Sequence, residues 1–585
     1  MGQLFFVQRL LELSYAYTDQ RYRAPSISIT GIIEEAIAIL DRRWSEDGIS
    51  NQDLHITDEL KVRIKSNKPL QDILHMPVSR YMSLDLGNAQ DASINLRALL
   101  AEIDELSYLS AIVDHVVRLS SDKNAKSTLD ELATEFISTL MYLGVSREHI
   151  NQTLMNTFFG EFAVDNSTIF DFVKEVYPHY HDFAVFVPAS SSLADFGAAS
   201  LSVLKISLAP SIPDQIDKET HPEFFSDAAR DDYSVYEIKV RSMDYNSAAA
   251  AAKAKIDRFS SLFQMVSHKW QYEIGSNFAC QQMCCSKTLR NVSVGGNAMH
   301  HIKDNSPDRA RAALVEMLSS RSLLRGKDKS KYLNIIELHG ISARLATADS
   351  QLINMWTCLE TMSPGEAKGS NVDKVIDAVL PVFAIGHIRS IVVALLLDLF
   401  RWNRRKFSKA FSKHGEFTSS KTHLRFVEMM TDVKNTDGLD YLLSELGDFE
   451  LLRYRLYRVA SMLRSKTLLF EEVDKAEKSA KWNLHRIYRM RNNIVHAGKS
   501  SRHTRYLVED VHSYFDQCMD FCLSVSKRGY RFNTFELCFR FASNQHEFYK
   551  SALKSDRYLD YCVWDFKSIK GKGYIFERDV SGQDN

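Results

Sequence analysis

The sequence predicts a mainly α fold interrupted by one small mixed α/β unit, and three observations carry that expectation. Apolar residues recur at intervals of three and four through the first 180 positions. Examples are Leu4, Val7 and Leu11, then Ile32, Ile33, Ala36, Ile37 and Leu40, and the stretch from Leu99 to Leu119. The texture changes near position 181, where DFAVFVPA reads as a strand and SVYEIKV alternates strictly. From Tyr332 to about position 530 the helical spacing returns.

Each element follows from its residues. Residues 1–180 form a helical N-terminal region. In 181–320, the two strands flank a Ser/Ala/Pro-rich stretch, and SAAAAAKAKIDRFSSLFQMV is a helix by propensity, since alanine loses no side-chain entropy in one. The segment RSLLRGKDKSK, from Arg321 to Lys331, is polar, basic and glycine-containing, which makes 321–332 a linker. Residues 333–530 form a second helical domain, and 531–585 an appended helical tail. No internal repeat is evident.

Composition bounds the function. A chain of 585 residues suggests about three or four domains. With 45% hydrophobic residues and only 11 Pro and 23 Gly, it is neither disordered nor collagen-like. The richest apolar stretch is interrupted by Asp377, His387, Arg389 and Asp398, short of the roughly 18–20 residues of a spanning helix. The beginning MGQLFFVQRL carries no cleavable signal pattern, and Phe6 stands where myristoylation requires Ser or Thr. The expectation is a cytoplasmic protein without a membrane partner.

Eight cysteines in this length do not make a disulfide framework. Cys518 and Cys522, four apart in an apolar helical pattern, read as small core residues. Cys280, Cys284 and Cys285, with His300 and His301 downstream, invite a zinc reading, but no Cys-x-x-Cys pair or finger spacing supports it. HExxH and the phosphate-binding glycine loop are absent from the sequence. No cofactor and no metal are expected.

The near-neutral total charge hides an asymmetry. Residues 333–530 carry 29 Lys+Arg against 23 Asp+Glu, a surplus of six. Two stretches concentrate it among aromatics: RWNRRKFSKAFSKHG (Arg401, Arg404, Arg405, Lys406, Lys409, Lys413) and RYRLYRVASMLRSK (Arg453, Arg455, Arg458, Arg464, Lys466). Such stripes suit a polyanion, because neutralising phosphates drives nucleic-acid affinity; the plain alternative is a pair of solvated helix faces.

The segment KWNLHRIYRMRNNIVHAGKS bears the chemistry. It reads as a helix from Lys481 to Ala497, stopped by Gly498. At 100° per residue, Leu484, Ile487, Tyr488, Ile494 and Val495 share one apolar face, and Arg491 falls in its middle. Arg486 and Arg489 fall on the opposite side, where charge is ordinary. A guanidinium within an apolar stripe is costly unless it meets an acid, a partner chain or a phosphate. His496 follows near the helix end. Together they suit metal-free phosphodiester chemistry: imidazole moves protons near neutral pH, and guanidinium holds the phosphate and the charge of its transition state.

Arg491-Asn492-Asn493-Ile494-Val495-His496 resembles the Arg-x(4–6)-His motif of the HEPN superfamily of nucleases. The bare spacing is common: 38 Arg and 19 His produce it four times, by Arg489 and Arg491 with His496, Arg505 with His512, and Arg540 with His546. Context selects Arg491: the Arg-Asn dipeptide, the apolar helix before it and the His-Ala-Gly exit. In addition, LINMWTCLETMSPG, Leu352 to Gly365, is similar to the first helix of HEPN domains of the ApeA-like group of phage-defence proteins. Leu352, Met355, Trp356, Leu359 and Ser363 mark one face there, with Glu360 at its border. The resemblance covers roughly 335–530, and residues 1–320 resemble no family.

This resemblance implies a four-helix-bundle-like domain acting as a metal-independent endoribonuclease. His496 would serve as general base or acid, Arg491 would bind the scissile phosphate, Asn492 would assist, and Glu360 would orient Arg491. RNA is the implied substrate, cleaved by its own 2′-hydroxyl. A homodimer or higher homo-oligomer would line one cleft with two motifs. The N-terminal region would sense a phage-derived trigger, or restrain the nuclease with a regulatory partner, in abortive infection. The reading from another class is a non-catalytic HEPN-like dimerisation or RNA-binding module. A third pattern, Pro213-Asp214 with Glu237-Ile238-Lys239, imitates metal-dependent nucleases, yet Tyr236, Ile238 and Val240 alternate with Glu237, Lys239 and Arg241 as in any half-solvated strand.

Overall fold

The computed structural model describes residues 1–555, apart from 19–21, 24, 26, 46–53, 82–87, 160–163, 178, 210, 213–215, 217–218, 220, 270–271, 295–296, 302–305, 320–325, 346, 366–369, 419, 502 and 528–531. The protein is mainly helical with one small antiparallel sheet, as the spacing of its apolar residues predicts. Residues 321–325 of the expected linker and the last thirty residues of the tail lie outside the described residues, as does Pro213-Asp214, while the end of the linker is already helical, in a helix over Lys329–Ser342.

The first helices, α1 (Gly2–Ser14), α2 (Ile29–Ser45) and α3 (Leu54–Ser66), join helices up to Val176 around a core that includes Phe5, Phe6, Ile32, Ile33, Leu109 and Phe136. On α1 the innermost positions are Phe5, Phe6, Leu10 and Leu13, while Leu4 and Leu11 are only half-buried.

The chain then enters β1 (His181–Ser190), β2 (Ile206–Leu208), β3 (Tyr233–Ser242), β4 (Asn277–Gln282) and β5 (Leu289–Ser293), with spatial order β2-β3-β1-β4-β5. All neighbours run antiparallel. The alanine-rich segment forms a helix over Tyr245–Gln264, capped by Asp244, and its Ala248, Ala252 and Ile256 pack on the sheet with Val185, Tyr236 and Ile238.

Beyond the sheet, α4 (Ala348–Met362), α5 (Asn371–Trp402), α6 (Arg404–His414), α7 (Glu450–Leu463), α8 (Lys466–Ala497), α9 (Thr504–Lys527) and α10 (Phe535–Leu553) build two further cores. α4, the first half of α5, the second half of α8, and α9 meet around Trp356, Leu359, Val375, Leu484, Ile487, Val511 and Cys518. The second half of α5 and the first half of α8 meet α6 and α7 around Leu395, Phe407, Leu456 and Val473. Thus α5 and α8, each 32 residues long, run through both cores.

α10, set apart by the sequence as a tail, is integral: Phe535, Cys538, Phe539 and Ala542 are buried with Cys522 and Val525. Contrary to the sequence-based expectation, α5 is long and apolar enough to cross a membrane despite Asp377, His387, Arg389 and Asp398, but most of that stretch is buried inside the protein. It is the shared spine of two cores, which explains its composition.

Candidate functional site

Ser465 caps the start of α8, and Gly498 ends the helix in the left-handed conformation, φ +59°. The N–H groups of Gly498 and Lys499 both donate to the Asn493 carbonyl, satisfying acceptors that a helix end otherwise leaves open. Glycine adopts this backbone without the Cβ penalty of other residues. The helix therefore stops where the sequence predicts, with the motif on its last two turns.

Arg491 is half-buried, its side chain 24% exposed. Its Nη1 donates to Asn492 Oδ1 at 2.9 Å. Its Nη2 stands 4.0 Å from Glu360 Oε2, the outer edge of an ion pair, and its Nε is buried without a hydrogen-bond acceptor among the described residues. α4 supplies Glu360, which is 25% exposed, and is locked against α8 by Trp356, whose indole lies 5.4 Å from the Tyr488 ring. The structure thus brings Arg491, Asn492 and Glu360 together. His496 is exposed on the last turn, and among the described residues it has no hydrogen bond or ion pair. Val495, placed by the sequence on the apolar face, is 47% exposed, because the core ends before the helix does.

Arg486 and Arg489 overturn one expectation. The face opposite the bundle core is not solvent but α2 and α3. Arg486 Nε donates to Glu35 at 2.9 Å and its Nη2 to Glu59 at 2.6 Å, and Arg489 donates to Glu35 at 2.8 Å. Arg486 is 5% exposed. Burial pushes the Glu35 carboxyl up, but Arg489 and Arg486 together outweigh it and hold the group at about 2. Beside them His485 stacks on His55, ring centroids 4.1 Å apart, and burial first, then the neighbouring cations, hold His485 down at about 3. Sequence reasoning missed this network because it allowed α8 one buried face. The available signal was Glu35 within the apolar run IIEEAIAIL, a carboxylate needing a cation.

The second basic stripe is structural. Arg453 pairs with Glu450, Arg455 with Glu12 and Asp398, and Arg458 with Glu472, while Arg464 donates to the Met430 and Asp432 carbonyls. The first stripe differs: on α6, Phe407, Ala410 and Phe411 face the core, leaving Arg405, Lys409 and Lys413 exposed. The remaining Arg/His matches separate as expected. Arg540 pairs with Glu536, His546 with Glu477, and His512 faces His339 at 3.1 Å. In β3, Tyr236, Ile238 and Val240 are buried, and Lys239 lies 3.7 Å from Glu237 on the other face. Cys518 and Cys522 are fully buried, as predicted. A polar pocket lies between the N-terminal helical region, which supplies His149, and the sheet unit, which supplies Tyr245 and Arg290, and contains no residue of α8.

Comparison of the chain with family models, with curated proteins and with solved structures returns no match.

Proposed function

We propose that the bundle of α4, α5, α8 and α9 is a HEPN-type, metal-independent endoribonuclease acting in the cytoplasm, with the N-terminal region as sensor or restraint in anti-phage abortive infection. One observation carries this reading: a half-buried guanidinium, incompletely satisfied by Glu360 at 4.0 Å, stands on the same helix end as an exposed histidine. A phosphodiester supplies the acceptors that Arg491 lacks.

In the reaction, His496 takes the proton of the ribose 2′-hydroxyl, whose oxygen attacks phosphorus. The P–O5′ bond breaks, leaving a 2′,3′-cyclic phosphate and a 5′-hydroxyl that receives a proton from the acid form of an imidazole. Arg491 holds the phosphate and the charge that gathers on its oxygens. In a homodimer the partner subunit's His496 serves as the second proton carrier. The contacts of Glu35 with Arg486 and Arg489, and of Arg42 with Asn493 at 3.3 Å, join the N-terminal region directly to the motif helix and support control in cis.

The second reading, a non-catalytic RNA-binding or dimerisation module, draws on Arg486 and Arg489, which show that α8 also uses arginines structurally. Purified protein incubated with RNA, with the matching DNA, and with RNA plus EDTA separates the readings. The nuclease reading expects RNA cleavage to cyclic-phosphate ends, unaffected by EDTA and lost in His496→Ala, with DNA intact. Intact RNA under trigger conditions, together with equal harmlessness of wild type and His496→Ala on expression, would favour the module.

A further inference from the structure

The zinc reading of Cys284 and Cys285 paired them with histidines downstream, whereas the fold brings them to histidines upstream. β1 pairs antiparallel with β4, Phe183 opposite Gln282, so the residues entering β1 meet those leaving β4 at the same sheet end. The Met283 N–H donates to the Asp182 carbonyl at 2.8 Å and extends that register by one step. His179 and His181, two apart in extended chain, point the same way, toward the turn that carries Cys284 and Cys285.

The distances are those of a coordination shell. His181 Nδ1 lies 3.3 Å from Cys284 Sγ and 3.7 Å from Cys285 Sγ. His179 Nε2 lies 3.6 Å from Cys285 Sγ, and the two sulfurs are 3.5 Å apart. The ligand atoms of His179, His181 and Cys285 all fall within 4.8 Å of one another. Zinc bonds of about 2.3 Å to sulfur and about 2.0–2.1 Å to nitrogen, arranged tetrahedrally, require ligand atoms about 3.3–3.8 Å apart. We propose that His179, His181 and Cys285 form the core of a tetrahedral zinc site, with Cys284, which lies beside His181 and Cys285, turning in as its fourth ligand.

Three features support the assignment. His181 is 9% exposed, which fixes its ring, while His179 and both thiols are open to an entering ion. Gln282 donates its amide N–H to His181 Nδ1 at 2.7 Å, and its Oε1 accepts from Tyr245 and Ser286, so its orientation is set. That donation leaves Nδ1 unprotonated, as a ligand nitrogen must be, and an entering ion displaces the amide N–H from its lone pair. Cys280 is not a ligand: it lies fully buried under the sheet. Binding displaces one proton from each thiol and ties the β4–β5 turn to the segment that arrives from the helical region. The site is independent of the ribonuclease reading.

The test uses the full chain, purified under reducing conditions and titrated with cobalt(II), then with zinc(II). The expected result is one equivalent of cobalt giving thiolate charge-transfer absorption and the intense visible bands of a tetrahedral site, displaced by one equivalent of zinc. His179→Ala and Cys285→Ser, both at exposed positions, lose the bands while their far-UV circular dichroism stays that of wild type. Absence of the bands in wild type, or their survival in Cys285→Ser, overturns the proposal. So does a thiol count showing Cys284 and Cys285 joined as a disulfide under those conditions.

Discussion

Arg486 and Glu59 stand 427 positions apart in the chain, yet their side chains meet at 2.6 Å, each only 6% exposed. Glu35 closes the cluster by accepting from both Arg486 and Arg489. The N-terminal region is therefore bonded to the helix that carries Arg491 and His496, the first five residues beyond Arg486 and the second five residues further on. The contacts to α2 and α3 thus fall on the same helix as the motif.

Glu59→Ala leaves the buried guanidinium with Glu35 alone. Removing one partner of a buried pair typically costs about 3–5 kcal/mol, and the remaining carboxylate reduces this to about 2–3 kcal/mol. Urea denaturation followed by circular dichroism should show that loss. Glu59→Gln, which keeps an acceptor, should lose less. Equal stability of Glu59→Ala and wild type would mean that the pair contributes nothing.

His496→Ala should remove activity without touching the fold, because the side chain is exposed. Loss of a general acid–base group costs about 10²–10⁴ in rate, against an unchanged unfolding midpoint. Arg491→Lys should fail to restore cleavage, since an ammonium lacks the fork that grips two phosphate oxygens. Glu360→Gln should lower kcat more than it raises KM if the carboxylate orients Arg491. Single-turnover cleavage of a short labelled RNA measures all three.

Much of this was legible because apolar spacing encodes helices and strands directly. α4, the β1 and β3 strands and the Gly498 stop all stand where their residues place them. What escaped was partnership between distant segments. Nothing near Arg486 announces Glu59, and nothing near Cys285 announces His179, because both encounters depend on how remote elements dock. The periodicity of α8 was misleading for a related reason: a helix between two packed layers has two inner faces, and one of them is charged. The α7 stripe shows the same limit, since Arg455 looks like a phosphate ligand until Glu12 is placed against it.

The two basic helices should therefore behave differently. Replacing Arg405, Lys409 and Lys413 on α6 by Gln should leave folding intact and weaken RNA binding in a salt-dependent way. If all three contact phosphates, the slope of log affinity against log salt should fall by about 2, at about 0.7 per contact on a single strand. Replacing Arg455 or Arg458 on α7 should instead lower the unfolding midpoint, because each removes a partly buried ion pair, leaving Glu12 with Arg9 alone or Glu472 with His387 alone. Fluorescence anisotropy at several salt concentrations separates the two effects, and an unchanged slope for the α6 triple variant would exclude that helix from the RNA path.

Two buried carboxyls contribute to the pH dependence of stability with opposite signs. Glu35 is held at about 2, below its ordinary 4.5, so its contribution is complete above pH 4.5 and is lost as the pH falls toward 2. Asp510 is pushed up to about 6 from 3.8, first by burial, against the donation from Asn483 and with the nearby Glu509 charge adding. A raised carboxyl has the reverse sign: the folded state keeps a proton that the unfolded chain has released. The Asp510 contribution therefore declines as the pH rises from 3.8 to about 6 and stays lower above it. Between pH 4.5 and 7 this amounts to about 2 kcal/mol, at 1.36 kcal/mol per pK unit. Asp510→Asn keeps an oxygen for Asn483 and removes the titration. His485, held down at about 3, and Asp516, pushed up to about 8 by burial, titrate alike in both proteins, so the stability of wild type relative to the variant should fall by that amount across this range; parallel curves would show that Asp510 is ionised in the folded protein.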